Sequence, residues 1–240
     1  MVKKFNMKIH IITNFTGAFT SYFDSSIMRI AREKGLFEPI FYNLGDFSLQ
    51  AQHRVDDKPY GGGAGALIQI EPMYRAITAI ENKIKNTGMD SRLRGNDGEV
   101  RKIYLWPRGE RLKQAKIEQL SDELEKSEFI ILCGHYEGVD HRVFEMFEFE
   151  QYSIGDFVVS SGELATMVFV DALVRLIPGV VWNEASLHEE SFSEALDGKP
   201  EYPQYTRPAD FMGYKVPDIL LCGDPKKIGE WRKEEISKLI

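Results

Sequence analysis

Two stretches decide the fold: Leu132-Cys133-Gly134-His135-Tyr136-Glu137-Gly138-Val139-Asp140 and, after a short acidic interval, Ser153-Ile154-Gly155-Asp156-Phe157-Val158-Val159-Ser160-Ser161-Gly162-Glu163-Leu164. Each reads as a buried strand that breaks into a glycine turn and opens a helix. Glycine lets a main chain come close to a ligand, and a helix start leaves N–H groups without partners. Two such turns side by side can grip one small polar molecule with main-chain atoms. The carboxylates Glu137, Asp156 and Glu163 stand among them. That disfavours a phosphate and suits a ligand with a cationic centre and hydroxyls. Neither turn has the spaced glycines of a dinucleotide fold or the lysine of a phosphate loop, so a standard nicotinamide or ATP site is not expected.

Outward from these turns, strand and helix patterns alternate. Strands are predicted over Lys8–Ile12, Pro39–Tyr42, Ile103–Leu105 and Phe129–Cys133. A helix carries Phe19, Phe23, Ile27 and Ile30 and ends at Gly35; others cover Ile70–Ile80, the segment with Ile117, Leu120 and Leu124, and Leu164–Leu176, stopped by Pro178-Gly179. This alternation predicts an α/β fold, a mostly parallel sheet flanked by helices. Residues 43–66 form a long polar loop, and loops of that length are usually functional or disordered. Residues 82–101 lack an apolar period and read as a flexible surface insertion; Arg92 and Arg94 there read as solvated before they read as RNA contacts. Periodicity fades after Gly179 until Asp224-Pro225, a cap followed by proline at the first helical position. The last helix carries Lys226, Lys227, Arg232 and Lys233.

The 240 residues carry a formal net charge of −7, so the molecule as a whole is not a basic nucleic-acid binder, although local patches decide such binding. Two cysteines, Cys133 and Cys222, argue for a reducing compartment without a disulfide framework. No apolar run approaches a membrane span, and no apolar stretch follows the basic start as in a signal peptide. A cytoplasmic protein is expected. No cysteine–histidine cluster has metal-site spacing, and no serine elbow is present.

Other segments carry chemistry more weakly. Asp56-Asp57-Lys58-Pro59-Tyr60-Gly61-Gly62-Gly63-Ala64-Gly65 reads equally as a hinge or as a loop that offers main-chain groups to a planar ligand. Arg175 falls in the last turn of a helix, where the helix dipole alone accounts for a cation. Glu189-Glu190 reads as a solvated pair. Tyr202-Pro203-Gln204-Tyr205-Thr206-Arg207-Pro208 reads as a stiff linker, with base stacking as the sharper alternative.

Taken in order, Asp56–Gly65, Cys133–Asp140 with Arg142, Ser153–Leu164, Arg175–Gly179 and Ser191–Pro208 resemble the signature blocks of the bacterial tRNA (guanine-N1)-methyltransferases, members of the SPOUT class. The match is collinear over nearly the whole chain outside residues 82–101. The resemblance implies a deep C-terminal trefoil knot, a feature too rare to read from composition. It implies a methyltransferase domain over residues 1–178, a linker over 179–207 that carries a catalytic residue, and a small helical tRNA-binding domain over 208–240. It also implies a homodimer with active sites shared between subunits, and the tRNA anticodon arm as partner.

The cofactor so implied is S-adenosyl-L-methionine, held by Tyr104, Leu105, Trp106, Pro107, Gly134, Tyr136, Glu137, Ile154, Gly155, Asp156, Phe157, Val158, Val159 and Gly162. Magnesium accompanies the family's reaction without a dedicated protein site expected here. The product is 1-methylguanosine at tRNA position 37. Glu190 matches the catalytic base and Arg175 the partner of guanine O6, fifteen residues apart as in the family. Asp56, Gly65 and Arg207 match substrate-binding positions. Four features depart from the pattern. Glu190 replaces an aspartate, and a shift of about an ångström can cost on the order of a hundredfold. Ser161 stands for a glycine, Trp106 for a small residue, and the chain stops at Ile240 without the further helices of longer members. A SPOUT enzyme acting on another RNA, or a non-catalytic RNA-binding relative, are the alternative readings.

Overall fold

The computed structural model describes residues 7–86, 100–124, 127–181 and 189–238. Five parallel strands form the central sheet: β1 (Met7–Thr13), β2 (Phe37–Asn43), β5 (Val100–Arg111), β6 (Glu128–Leu132) and β7 (Phe149–Ser153), in the order β2-β1-β6-β5-β7. Parallel strands are covered on both faces and so are apolar almost throughout. Ile130 and Leu132 of β6 enter one core, and Phe129 and Ile131 enter the other. The helices α1 (Thr20–Phe23), α2 (Ser26–Glu33), α4 (Gln114–Asp122) and α6 (Gly162–Val174) pack the face that holds Phe23, Met28, Leu120 and Phe169. The helices α3 (Ile70–Asn86) and α5 (Arg142–Met146) cover the other through Met73, Ile77, Ile80 and Val143.

Several boundaries differ from the sequence reading. The expected insertion over 82–101 is helix as far as Asn86 and strand from Val100. Ile84 extends the buried series Met73, Ile77, Ile80 by one more turn, a single apolar residue in polar company that pattern counting passed over. Arg92 and Arg94 lie outside the described residues. The helix expected from Phe19 is broken: a 3-10 turn over Thr16–Phe19 runs into α1, and α2 restarts at Ser26 with φ 45°. The loop 43–66 holds two 3-10 turns and β3 (Asp56–Asp57), which pairs antiparallel with β4 (Leu67–Ile68). The Gly134 turn does not open directly into a helix, since α5 begins only at Arg142.

Chain contacts divide the molecule into two compact units, Met1–Trp182 and Asn183–Ile240. The second unit contains a hairpin of β8 (Asp210–Phe211) and β9 (Tyr214–Lys215), then α7 (Asp218–Leu221) and α8 (Pro225–Lys238). Asp224 Oδ1 accepts from the N–H groups of Lys226 (3.0 Å) and Lys227 (3.4 Å), the capping read from the sequence. No described helix is long and apolar enough to cross a membrane.

Candidate functional site

A cavity of about 240 Å³ opens at the carboxyl ends of β5, β6 and β7, where parallel sheets place their ligands. Residues 104–107, 134–138 and 153–154 line it together with 157–162 and Ala165. Its two turns touch. The Gly162 N–H donates to the Gly134 carbonyl at 2.8 Å. A Cβ on Gly162 would lie 2.5 Å from Gly134 N, so main chain meets main chain with no space for a side chain. On its other side Gly134 abuts the Tyr104 hydroxyl, 2.5 Å from where its own Cβ would stand. The glycines are thus explained by close approach of one backbone to another beside the cavity.

Burial holds Tyr104 and Cys133, beside this cavity, in their neutral forms. Tyr104 is 2 % exposed, and burial first, then the neighbouring Cys133, pushes its phenol far above the ordinary value. The Cys133 thiol is likewise pushed up by burial and by Glu163. Glu163 is buried. Its Oε1 accepts from Thr13 Oγ1 at 2.5 Å, while its Oε2 meets no partner among the described residues. Of the three carboxylates singled out in the sequence, only Glu137 lines the cavity. Glu163 braces the start of α6 against the end of β1. Asp156 is 80 % exposed at its side chain and pairs with Arg111 at 3.0 Å.

A second cavity, about 390 Å³, adjoins the ends of β1 and β2. Asn14, Asn43, Gly45 and residues 52–56 line it, with Tyr136. Arg54 and Asp56 face each other there at 3.7 Å. Tyr136 borders both cavities from a left-handed backbone (φ 57°), with its ring edge-on to His135 at 4.6 Å. Burial, then the Asp56 charge, raises its phenol pKa. Gly65 lies against Glu137, whose Cγ would be 2.4 Å from a Cβ there. The structure therefore brings Asp56, Gly65, Tyr136 and Glu137 to one rim, although Asp56 and Tyr136 lie 80 positions apart in the chain, with α3 and β5 between them.

The model of one family, described as tRNA (Guanine-1)-methyltransferase TrmD, matches residues 7–239. The chain belongs to this family. A Clostridioides difficile (strain 630) protein named tRNA (guanine-N(1)-)-methyltransferase is 44% identical over 231 residues, which cover 95% of this chain and 92% of that protein. Relatives of the same name from Carboxydothermus hydrogenoformans (43% over 229 residues, 95% of this chain and 82% of the relative) and Bacillus cereus strain AH820 (44%, 95% and 86%) agree.

Around this tRNA (guanine-1)-methyltransferase cavity the structure gathers Tyr104, Leu105, Trp106, Pro107, Gly134, Tyr136, Glu137, Ile154, Phe157, Val158, Val159 and Gly162. Gly155 and Asp156 are not among the lining residues. Arg175 caps the far end of α6. Thirteen helical residues at about 1.5 Å each put it roughly 20 Å from Gly162. Glu190 and Arg207 belong to the second unit. There the Glu190 carbonyl accepts from Ser193 N–H at 3.1 Å. Tyr202 and Tyr205 pack on α8: Arg232 lies 4.5 Å over the Tyr202 ring, and Tyr205 meets Trp231 at 6.4 Å. Sequence reasoning passed over His135, Asn14, Asn43, His53 and Arg54. The one signal for Asn14 and Asn43 was their place just past, or at the end of, an apolar strand.

Proposed function

We propose that this chain is a tRNA (guanine(37)-N1)-methyltransferase that takes its methyl group from S-adenosyl-L-methionine. One observation carries the reading: in a chain of this family, two glycine turns close main chain to main chain around a cavity at the carboxyl edge of a parallel sheet. The lining suits such a donor. It offers aromatic and aliphatic walls for a purine, main-chain groups for hydroxyls, and Glu137 near a cationic centre. The bound donor supplies an electrophilic methyl on sulfur, which leaves as a neutral thioether.

The protein's part is proton and charge management. Guanine N1 holds a proton at neutral pH and attacks poorly until that proton leaves. In this reading the Glu190 carboxylate takes the proton as N1 bonds to the methyl carbon, and the Arg175 guanidinium offsets the negative charge that spreads to O6. Asp56, Gly65 and Arg207 hold the RNA, the last with the basic helix α8 against the anticodon arm. A deep trefoil knot toward the C-terminal end of the α/β domain, and the division into catalytic domain, linker and helical domain, belong to the same proposal. Magnesium belongs to the same proposal, with no protein ligand assigned to it.

The position of Arg175 supports a homodimer. Its side chain cannot span the length of α6 to reach the cavity of its own subunit. On α6, Leu164, Val168, Asp171 and Arg175 follow one helical stripe, and Leu164 and Val168 are each 48 % exposed. A helix so apolar on all sides is normally buried. A two-fold related copy that packs this stripe antiparallel on itself carries each Arg175 back to the other's Gly162 end. Mass spectrometry of a transcript with guanosine at position 37, after incubation with protein and donor, tests the function. One methyl at N1 of that base, lost on Glu190→Gln, is the expected result; methylation elsewhere or none refutes it.

A further inference from the structure

The donor cavity has one conspicuous electrostatic gap. Among the described residues its lining holds one carboxylate, Glu137, and no lysine or arginine. An S-adenosyl amino acid ends in a carboxylate as well as an ammonium, and a carboxylate brought out of water needs a cation or several N–H donors. Two arginines stand near the mouth, both on β5. Arg111 is engaged with Asp156 at 3.0 Å. Arg108 has no carboxylate partner among the described residues; its guanidinium lies over the indole of Trp106, 4.6 Å from the ring centroid. It follows directly on Pro107, a lining residue.

The strand is built to present this pair. The register of β5 against β7 breaks between Leu105 and Glu110, so residues 106–109 bulge from the ladder. Bulges beside binding sites re-aim side chains. Trp106 is fixed from behind by Tyr104 (5.6 Å) and Phe144 (5.7 Å), and its indole N–H is buried with no acceptor among the described residues. Packing of rings rather than a hydrogen bond therefore holds it. The indole face in turn holds the guanidinium, a geometry in which arginine keeps its N–H edge available.

We infer that Arg108, pre-positioned on Trp106, binds the carboxylate of the methyl donor's amino-acid end. Trp106, which departs from the small residue usual in the family, is the platform that makes this possible. The inference rests on the donor reading above and adds a specificity residue to it.

Calorimetry on the full-length protein separates the two. The probes are S-adenosyl-L-homocysteine, which carries the carboxylate, and 5′-methylthioadenosine, which lacks the amino-acid end. Arg108→Ala weakens the first about three- to tenfold, the range for a partly exposed charge-assisted contact, and leaves the second unchanged. Trp106→Leu costs part of the same selectivity, and Trp106→Phe, which keeps an aromatic face, restores most of it. Raising salt narrows the gap between the two ligands in the native protein and not in Arg108→Ala. Equal loss for both ligands, or no loss for either, overturns the inference and leaves the donor reading standing. Weakened RNA binding with unchanged S-adenosylhomocysteine affinity would assign Arg108 to a phosphate and also overturn it. If the native protein binds neither nucleoside, both readings fall together.

Discussion

Replacing Gly162 by alanine probes the contact on which the cavity depends. The new Cβ would lie 2.5 Å from Gly134 N, 2.9 Å from Gly134 O and 3.1 Å from the Cys133 carbonyl carbon. All three are main-chain atoms at the end of a central strand, so no side chain can turn away. The two turns must part by several tenths of an ångström, and the 2.8 Å bond from Gly162 N to Gly134 O lengthens with them. Overpacking of this kind costs about 1–3 kcal/mol, and the hydrogen bond about 0.5–1.5 kcal/mol, together roughly 2–4 kcal/mol. For a chain of this size each kcal/mol moves the melting temperature by about 2–4 °C. A fall of about 5–15 °C is expected in differential scanning calorimetry. The donor would meet a displaced cradle. If the strain is met locally, about 2 kcal/mol of it appears as a thirtyfold weaker Kd for S-adenosylhomocysteine. A Gly162→Ala protein that melts within 1 °C of the native one and binds the nucleoside equally well would refute the close apposition of the two turns.

Three further outcomes follow from the same geometry. Gly134→Ala is expected to weaken nucleoside binding, because its Cβ meets the Tyr104 hydroxyl at 2.5 Å; adding Tyr104→Phe removes that oxygen and should recover most of the affinity by calorimetry. Val168→Asp puts a charge on the exposed stripe of α6 and should yield a monomer in analytical ultracentrifugation. That monomer keeps nucleoside binding and loses methyl transfer. Glu150 supplies a pH test: burial pushes its carboxyl up, but hydrogen bonds from Arg101 (2.6 and 2.5 Å) and Tyr152 (2.6 Å) outweigh this and set it below the ordinary value. Its contribution is therefore complete above the unfolded carboxyl's pKa near 4.3 and is lost as pH falls through the lower folded value. Glu150→Gln should flatten the acid limb of the melting-temperature profile between about pH 5 and 3; an unchanged limb would sink the assignment.

The sheet was legible because parallel strands are apolar on both faces and leave short runs that pattern counting finds, as in Phe129–Leu132. The strand Phe149–Ser153 was legible only at its end, where Ser153 runs into the glycine turn, because Glu150 and Gln151 interrupt its apolar run. Its place in the sheet is secured instead by Arg101, which pairs with Glu150 from the neighbouring β5 and also with Glu123. Such a pairing is invisible before the strands are aligned. The same holds for the helix α3, whose last buried residue, Ile84, sits among lysines and asparagines. Local polarity argued for a loop, and burial of Ile84 in the core that holds Ile77, Ile80, Ile130 and Leu132 decided for a helix.

The lining of the cavity was legible in a way the residues proposed for catalysis were not, and the reason is physical. Main-chain grips announce themselves by glycine, since no other residue fits where Gly162 meets Gly134. Side-chain chemistry carries no such mark. Arg175 has an adequate role at the end of its own helix, and the length of that helix sets it roughly 20 Å from Gly162 and the cavity there. Only the exposed Leu164 and Val168 on the same stripe tie the two facts together: a cation that is useless at its own cavity lies at the end of an apolar face that needs a partner. A second copy answers both needs at once, which is why the reading of Arg175 and the reading of the α6 surface stand or fall together. Mixed dimers decide it. With donor held well below the weakened Kd of the Gly162→Ala cavity, Arg175→Ala and Gly162→Ala homodimers should each show little activity and mixed dimers should regain it, because one composite site per mixed dimer keeps both an intact cavity and an intact Arg175. No recovery, with mixed dimers verified by mass, would mean that each subunit works with its own arginine.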